Sequence, residues 1–194
     1  MTGRDVPAGA VAVLRGGGIV GVPTDTVYGI AADPLRREAV ASLFAVKGRP
    51  GIKPIALLAA DLRQVDRVAL LHGDARRRAG ACWPGPLTVV VRRAPGLPEW
   101  LGDPVRDTIG VRVPDHPVML ALLDAWGAPL AATSANRSGD PPPSDAAGAR
   151  AALGDAVPLY LPGLAGGGTS STVVDLSGPQ AVVLREGPIE WEAG

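Results

Sequence analysis

Lysine is almost missing from this chain of 194 residues: only Lys47 and Lys53 occur, both inside FAVKGRPGIKPI, and 17 of the 19 basic residues are arginine. Cysteine is reduced to Cys82, which excludes an intramolecular disulfide and a multi-cysteine zinc site. The two histidines, His72 and His116, are isolated and no H-E-x-x-H occurs, so no protein-held metal is expected. Neither G-x-x-x-x-G-K-[ST] nor G-x-S-x-G is present, which removes a Walker-type phosphate loop and a nucleophile elbow. Aromatics make up 4% of residues, the four tryptophans are unclustered and the net charge is zero, which argues against a nucleic-acid-binding protein. No apolar run approaches the ~18–20 residues that cross a bilayer. The amino end, MTGRDVPAGAVAVLRGGG, has no basic start followed by an apolar stretch, and a cytoplasmic location is expected.

What is present describes an ordinary globular chain: 46% hydrophobic and 20% charged residues, with 26 glycines and 20 prolines dispersed between apolar segments as turns. The length suggests one domain over residues 1–194. Asp5 and Pro7 are placed to open a helix running to about Arg15. IVGVP, TVYGIAA, PIALLA, LTVVVRR, IGVRV, PLAAT, VPLYL, STVVDL and AVVLRE read as strands. Helices are expected over LRREAVASLFAV behind Asp33-Pro34, from Asp74 to Ala81, over HPVMLALLDAW capped by Asp115, and from Ala146 to Leu153. Interspersed strands and helices predict an α/β layered domain with some antiparallel pairing. GGGIVG matches G-x-G-x-x-G literally, but it follows a helix and opens a strand, so it reads as a helix-terminating turn.

Several short strings carry chemistry. Lys47 and Arg49 in KGRP, with Lys53 nearby, form a candidate anion site, although basic residues at a helix C-terminus also serve as dipole partners. PTDTVYG is either a turn stabilised by Asp25 and its threonines or a strand end where Thr24 offers a hydroxyl to a small polar substrate. ATSAN sets Ser134 and Asn136 two apart, on one side of an extended chain, as caps or as neutral hydrogen-bonding groups for a ligand. No base lies near Ser134 in sequence, so it is not read as a nucleophile. Arg112 within IGVRVP and Arg185 after VVL are either exposed edge-strand residues or charges facing an anion, a ligand carboxylate being the sharper reading for Arg112.

Taken in order, PTDTVYG, KGRP…KP, WPGPLT, TIGVRVPDHP, ATSAN-RSG and STVVDL…LREG resemble the YrdC/TsaC family, the threonylcarbamoyl-AMP synthases, from about Gly17 to Pro188. The resemblance implies a short single-domain form with a three-layer α/β fold. In it, helices flank both faces of a twisted mixed β-sheet that bears a deep, positively charged concavity. It implies that L-threonine, bicarbonate (or carbon dioxide) and ATP, with Mg²⁺ carried on the phosphates, give L-threonylcarbamoyladenylate, pyrophosphate and water. The product would go to a separate transferase that makes threonylcarbamoyladenosine in tRNA.

Residue by residue, the family's K-x-R and S-x-N set falls on Lys47, Arg49, Ser134 and Asn136. Thr24, Arg112 and Ser171 match threonine-contacting positions, and Thr108, Ser134 and Arg185 match positions at the nucleotide, with Lys47, Arg49 and Lys53 near ATP. The chain departs from the family pattern at Asp25, Leu58, Pro142, Pro162 and Ser170. Two rivals remain: an RNA-binding module using the basic concavity, and a carbamoyl-adenylate-forming domain for another acceptor.

Overall fold

The computed structural model describes residues 8–48 and 54–192. Arg49 and Lys53, with Asp5 and Pro7 at the expected helix start, lie outside the described residues. The elements follow in the order α1 (Ala8–Arg15), β1 (Val20–Val22), β2 (Gly29–Ala32), α2 (Arg37–Ala45), β3 (Ala56–Leu58), α3 (Leu62–Val65), β4 (Ala69–Leu70), α4 (Gly73–Ala81), β5 (Leu87–Arg93), β6 (Thr108–Arg112), α5 (Pro117–Trp126), β7 (Leu130–Ser134), α6 (Ala146–Leu153), β8 (Leu159–Tyr160), β9 (Thr172–Asp175) and β10 (Val182–Arg185).

LTVVVRR is β5 over its whole length, and α6 spans the expected residues. Two short elements, α3 and β4, have no counterpart in the sequence reading; α3 is set by Asp61, which accepts the Gln64 N–H at 2.9 Å as an N-cap. Two expected caps are corrected. Asp33 accepts the Leu35 N–H at 2.9 Å and faces Arg36 at 3.5 Å, forming a turn that delays α2 to Arg37. His116, not Asp115, caps α5: its Nδ1 accepts the Val118 N–H at 3.2 Å, so Nε2 carries the proton and donates to the Leu164 carbonyl at 3.1 Å.

The strands form one mixed sheet in the order β10-β9-β5-β6-β3-β7-β2-β1-β8, with β4 also pairing β5. β3 runs parallel to β6, β5 to β9 and β1 to β8, and the remaining pairs are antiparallel. Because strand side chains alternate, each strand supplies two faces. Leu57, Val89, Ile109, Val111 and Ala131 pack on one face with Val40 and Leu43 of α2, Ala79 of α4, and Ala149 and Leu153 of α6. Val20, Val22, Ala31, Leu58 and Leu130 pack on the other with Ala10 and Leu14 of α1 and Met119, Leu122 and Leu123 of α5. The sheet is therefore the middle of three layers. On the second face, α1 and α5 gather around β1, β2 and β7, and the face continues uncovered across β3, β6, β5 and β9.

Tyr28 joins the start of β2 to the segment after β8: it is fully buried, and its hydroxyl donates to the Leu161 carbonyl at 2.6 Å. Burial pushes its phenol well above the ordinary tyrosine range, with Tyr160 and Asp145 adding to the shift. Tyr28→Phe leaves that carbonyl without its donor, at a cost of about 1–3 kcal/mol, and is expected to lower the melting temperature by roughly 2–10 °C. An unchanged melting curve would show that the bond contributes nothing net.

Candidate active site

The uncovered face forms the floor of a cavity of about 490 Å³, within the range of small-molecule sites. Strand register arranges the floor in transverse rows. Ala132, Ala56, Gly110 and Val90 lie opposite one another across four strands, and Asp175 of β9 extends that row. Two residues to one side, Ser134 and Thr108 stand level. Two residues to the other, Leu58 lies opposite Arg112, with Thr88 beyond it, then Val173 and Arg185. The Thr108 and Arg112 ends are about 13 Å apart at ~3.3 Å per residue. The middle row is hollow because its members are small: a Cβ on Gly110 would meet the Ala56 Cβ at 3.5 Å and Thr88 Cγ2 at 3.6 Å, which are ordinary contacts.

Arg112 lies on a central strand and is 5% exposed, so the edge-strand reading fails for it. Its Nε donates to the Gly85 carbonyl at 3.0 Å, Nη1 to Thr26 Oγ1 at 2.9 Å and Nη2 to Asp25 Oδ1 at 2.5 Å. Burial lowers the Arg112 pKa, and the Asp25 carboxylate opposes that shift. The threonines complete a directed chain. Thr24 donates to the Val27 carbonyl at 2.7 Å, so the 2.9 Å contact between the two hydroxyls has Thr26 as donor, and Thr26 in turn accepts from Arg112. Thr24 lines the cavity, but its proton is engaged within its own turn. The glycine-rich segment lies against this turn: Gly166 N–H donates to the Thr24 carbonyl at 3.0 Å and Gly168 N–H to that of Thr26 at 2.8 Å. Gly166 has to lack a side chain, since a Cβ there would come within 2.9 Å of the Asp25 carbonyl oxygen. Asp25 Oδ2 is buried and has no hydrogen-bond partner among the described residues.

Lys47 follows α2, is 4% exposed, and converges on the ATSAN segment. Its ammonium donates to the Ser134 carbonyl, to the Asn136 carbonyl at 2.7 Å and to Asn136 Oδ1 at 3.2 Å, and lies 3.3 Å from Ser134 Oγ. Asn136 braces this arrangement by donating from Nδ2 to the Arg137 and Asp140 carbonyls, at 2.9 and 2.6 Å. Ser134 lines the cavity, so Lys47 reaches it through that residue.

At the other side Ser171 Oγ shares a 2.9 Å hydrogen bond with Thr88 and accepts from Arg185 Nη2 at 3.0 Å, while Arg185 Nε donates to the Ser171 carbonyl at 2.9 Å. Arg185 stands on the edge strand β10, as one of its two readings anticipates, yet it also lines the cavity. Partial burial lowers its pKa, and the charge of Arg112 adds to that effect. Thr108 is 2% exposed and lines the same space, as do the departures Leu58 and Ser170. Pro142 and Pro162 are not among the lining residues.

Sequence reasoning missed Thr88 and Arg106, whereas Thr26 falls under the reading of a turn stabilised by Asp25 and its threonines, which the hydrogen bonds bear out. Thr88 was legible as the residue of β5 two before Val90 on one face. Arg106 lies on a loop with no periodic pattern. Among the described residues no group of three or more His, Cys, Asp or Glu side chains could hold a metal ion. No described helix is long and apolar enough to cross a membrane.

Residues 12–187 match the Sua5/YciO/YrdC family, whose description is "Telomere recombination". A Mycobacterium tuberculosis protein provisionally named threonylcarbamoyl-AMP synthase is 44% identical over 185 residues, covering 94% of this chain and 84% of the relative. A Halorhodospira halophila protein named threonylcarbamoyl-AMP synthase is 42% identical over 159 residues, covering 81% and 83%. Among solved structures, P. abyssi Sua5 complexed with L-threonine matches with a TM-score of 0.85 and 35% identity, over 92% of this chain and 53% of the longer neighbour.

Asp25→Ala would leave the Arg112 guanidinium buried without an anion and is expected to cost about 3–5 kcal/mol in urea denaturation. The double variant Asp25→Ala, Arg112→Met is expected to recover part of that loss. Gly110→Val is expected to keep the fold and close the cavity floor to ligand, read as an unchanged circular dichroism spectrum with lost ligand binding.

Proposed function

The chain belongs to the Sua5/YciO/YrdC family, and from that premise we propose that it is an L-threonylcarbamoyladenylate synthase, a nucleotidyltransferase acting on L-threonine, bicarbonate or carbon dioxide, and ATP. The observation that carries this reading is a single sheet face with an arginine pair at one end and the Ser134–Lys47 cluster at the other, joined by a row of small residues. The P. abyssi Sua5 complex holds L-threonine, which supports an amino acid as one occupant.

In this reading the threonine amine captures carbon dioxide to form a carbamate, whose oxygen attacks the α-phosphorus of ATP as pyrophosphate leaves. The threonine carboxylate, the carbamate and the triphosphate crowd negative charge into one space, so fixed cations matter most where charge builds up in the transition state. Arg112 has two further N–H groups beyond the three it uses internally, and its fork suits the amino-acid carboxylate. Ser171 and Thr88 offer hydroxyls beside it. Thr108, Ser134, Asn136 and Arg185 are assigned to the nucleotide, with Lys47, Arg49 and Lys53 near its phosphates. Mg²⁺ is taken to enter on the phosphates as part of the substrate. Positioning the two reactants in line supplies about 7–11 kcal/mol of the barrier reduction, so no strong protein base is required. The product is assigned to a separate transferase that modifies tRNA. An RNA-binding module is not favoured, since the relatives carry a synthase name.

Incubating the protein with ATP, bicarbonate and single amino acids, then seeking the adenylate by mass spectrometry, tests the reading. Threonine is expected to give product and serine some, since one missing methyl is worth only about 1–3 kcal/mol. No threonine-dependent adenylate would refute it. Arg112→Met is expected to raise the KM for threonine by about 10- to 100-fold. Lys47→Ala is expected to slow synthesis by on the order of 100-fold or more in a chain that still folds; pyrophosphate release at the wild-type rate would remove Lys47 from the site.

A further inference from the structure

The third guanidinium in the cavity wall belongs to Arg106, and we infer that it is a further ligand for the nucleotide's phosphates, oriented by Asp175. The inference rests on the reading above that this cavity takes ATP.

The loop that carries Arg106 is fixed on several sides. Asp103 Oδ1 accepts the N–H groups of Val105 and Arg106 at 2.9 and 3.1 Å, and the backbones of Asp103 and Thr108 exchange hydrogen bonds at 2.8 and 3.1 Å. Arg92 Nη1 donates to the Arg106 carbonyl at 3.0 Å. The side chain is fixed by one contact: Nη2 donates to Asp175 Oδ2 at 2.5 Å. Asp175 is itself 5% exposed, and its Oδ1 accepts from Ser177 N–H at 2.9 Å and Ser177 Oγ at 2.6 Å, so the carboxylate is a rigid anchor. One of the five guanidinium N–H groups is thereby engaged, while the side chain stays 53% exposed and lines the cavity.

Placement decides which reactant it meets. Arg106 precedes Thr108 by two residues, at the end of the sheet face that carries Ser134, and its anchor extends the middle row. Arg112 and Arg185 occupy the opposite row, beside Ser171. Arg106 thus shares its side of the floor with Thr108 and Ser134, which the reading above assigns to the nucleotide, and a guanidinium held in one orientation matches phosphate oxygens better than a mobile ammonium. A purely structural role, neutralising Asp175, would make no distinction among ligands.

Calorimetric titration of wild type, Arg106→Gln and Arg106→Lys with MgATP, AMP, adenosine and threonine separates the cases. Arg106→Gln is expected to weaken MgATP binding by about tenfold and AMP less, with adenosine and threonine unchanged, and Arg106→Lys to recover part of the loss. The double variant Arg106→Gln, Asp175→Asn leaves no unpaired carboxylate and is expected to show the same loss for MgATP, which guards against misfolding of the single variant. Wild-type MgATP affinity in either glutamine-bearing variant, or equal losses for all four ligands, would overturn the assignment. Failure of the wild type to bind MgATP would sink the parent reading and this inference together.

Discussion

A guanidinium buried in the middle of a sheet cannot stand without an anion, and that requirement at Arg112 organises the site. Arg112 sits on β6 between β5 and β3, and the carboxylate it needs is supplied by Asp25, from the turn after β1, far along the sheet order. The turn must therefore fold over the open face. Once there, its threonines are oriented by the same arginine, because Thr26 has to accept from Nη1 and so donates toward Thr24. The glycine-rich segment 166–168 then lies along the turn, made close by the absence of a side chain at Gly166. Three parts of the sequence that share no local pattern are tied together around one charge.

The cavity exists because two helices cover less of the sheet than its strands provide. α1 and α5 cover the β1, β2 and β7 region, where Val20, Val22, Ala31 and Leu130 are large or tightly packed. Farther along the same face the residues turn small or hydroxylated, through Ala132, Ala56, Gly110, Thr108 and Thr88, and among the described residues no further helix buries them. A hydrophobic row at those positions would have called for a third covering element or collapsed the space. On the opposite face Leu57, Val89, Ile109 and Val111 pack beneath α2, α4 and α6 and give the floor a rigid backing.

Most of the fold was legible because its strands are short apolar runs bounded by glycine and proline, and β5 and α6 have the limits that pattern gives. The misreadings are local. Asp33 and Asp115 have the side chain of a favoured N-cap and stand just before an apolar-periodic segment. In the fold, Asp33 closes a turn, and the His116 ring reaches the α5 N–H one residue later. The pairing of Lys47 with Ser134 and Asn136 across 87 and 89 residues is a tertiary fact that spacing cannot carry, and the family resemblance anticipated their shared place. For Arg112 the edge-strand reading fails because its strand is central, and the anion it meets is Asp25, whereas Arg185 is an edge residue that also lines the cavity. The link of Thr26 to Arg112 and the role of Arg106 escaped because each depends on a partner distant in sequence, Arg112 in one case and Asp175 in the other.

The chain as a whole is neutral, so any preference of this cavity for anions has to come from how its charges are partnered. Among the lining residues three are arginines and one, Asp103, is acidic. Arg112 and Arg106 are each balanced by a carboxylate, from Asp25 and Asp175. Arg185 hydrogen-bonds only the neutral oxygens of Ser171 among the described residues, and it stands close enough to Arg112 for the two charges to oppose one another. Asp25 already offsets the charge of Arg112, so the uncompensated charge at this end is that of Arg185. Of the three arginines in the wall, Arg185 is thus the one whose charge meets no carboxylate among the described residues, and an anion reaching that row would meet the least compensated charge of the cavity.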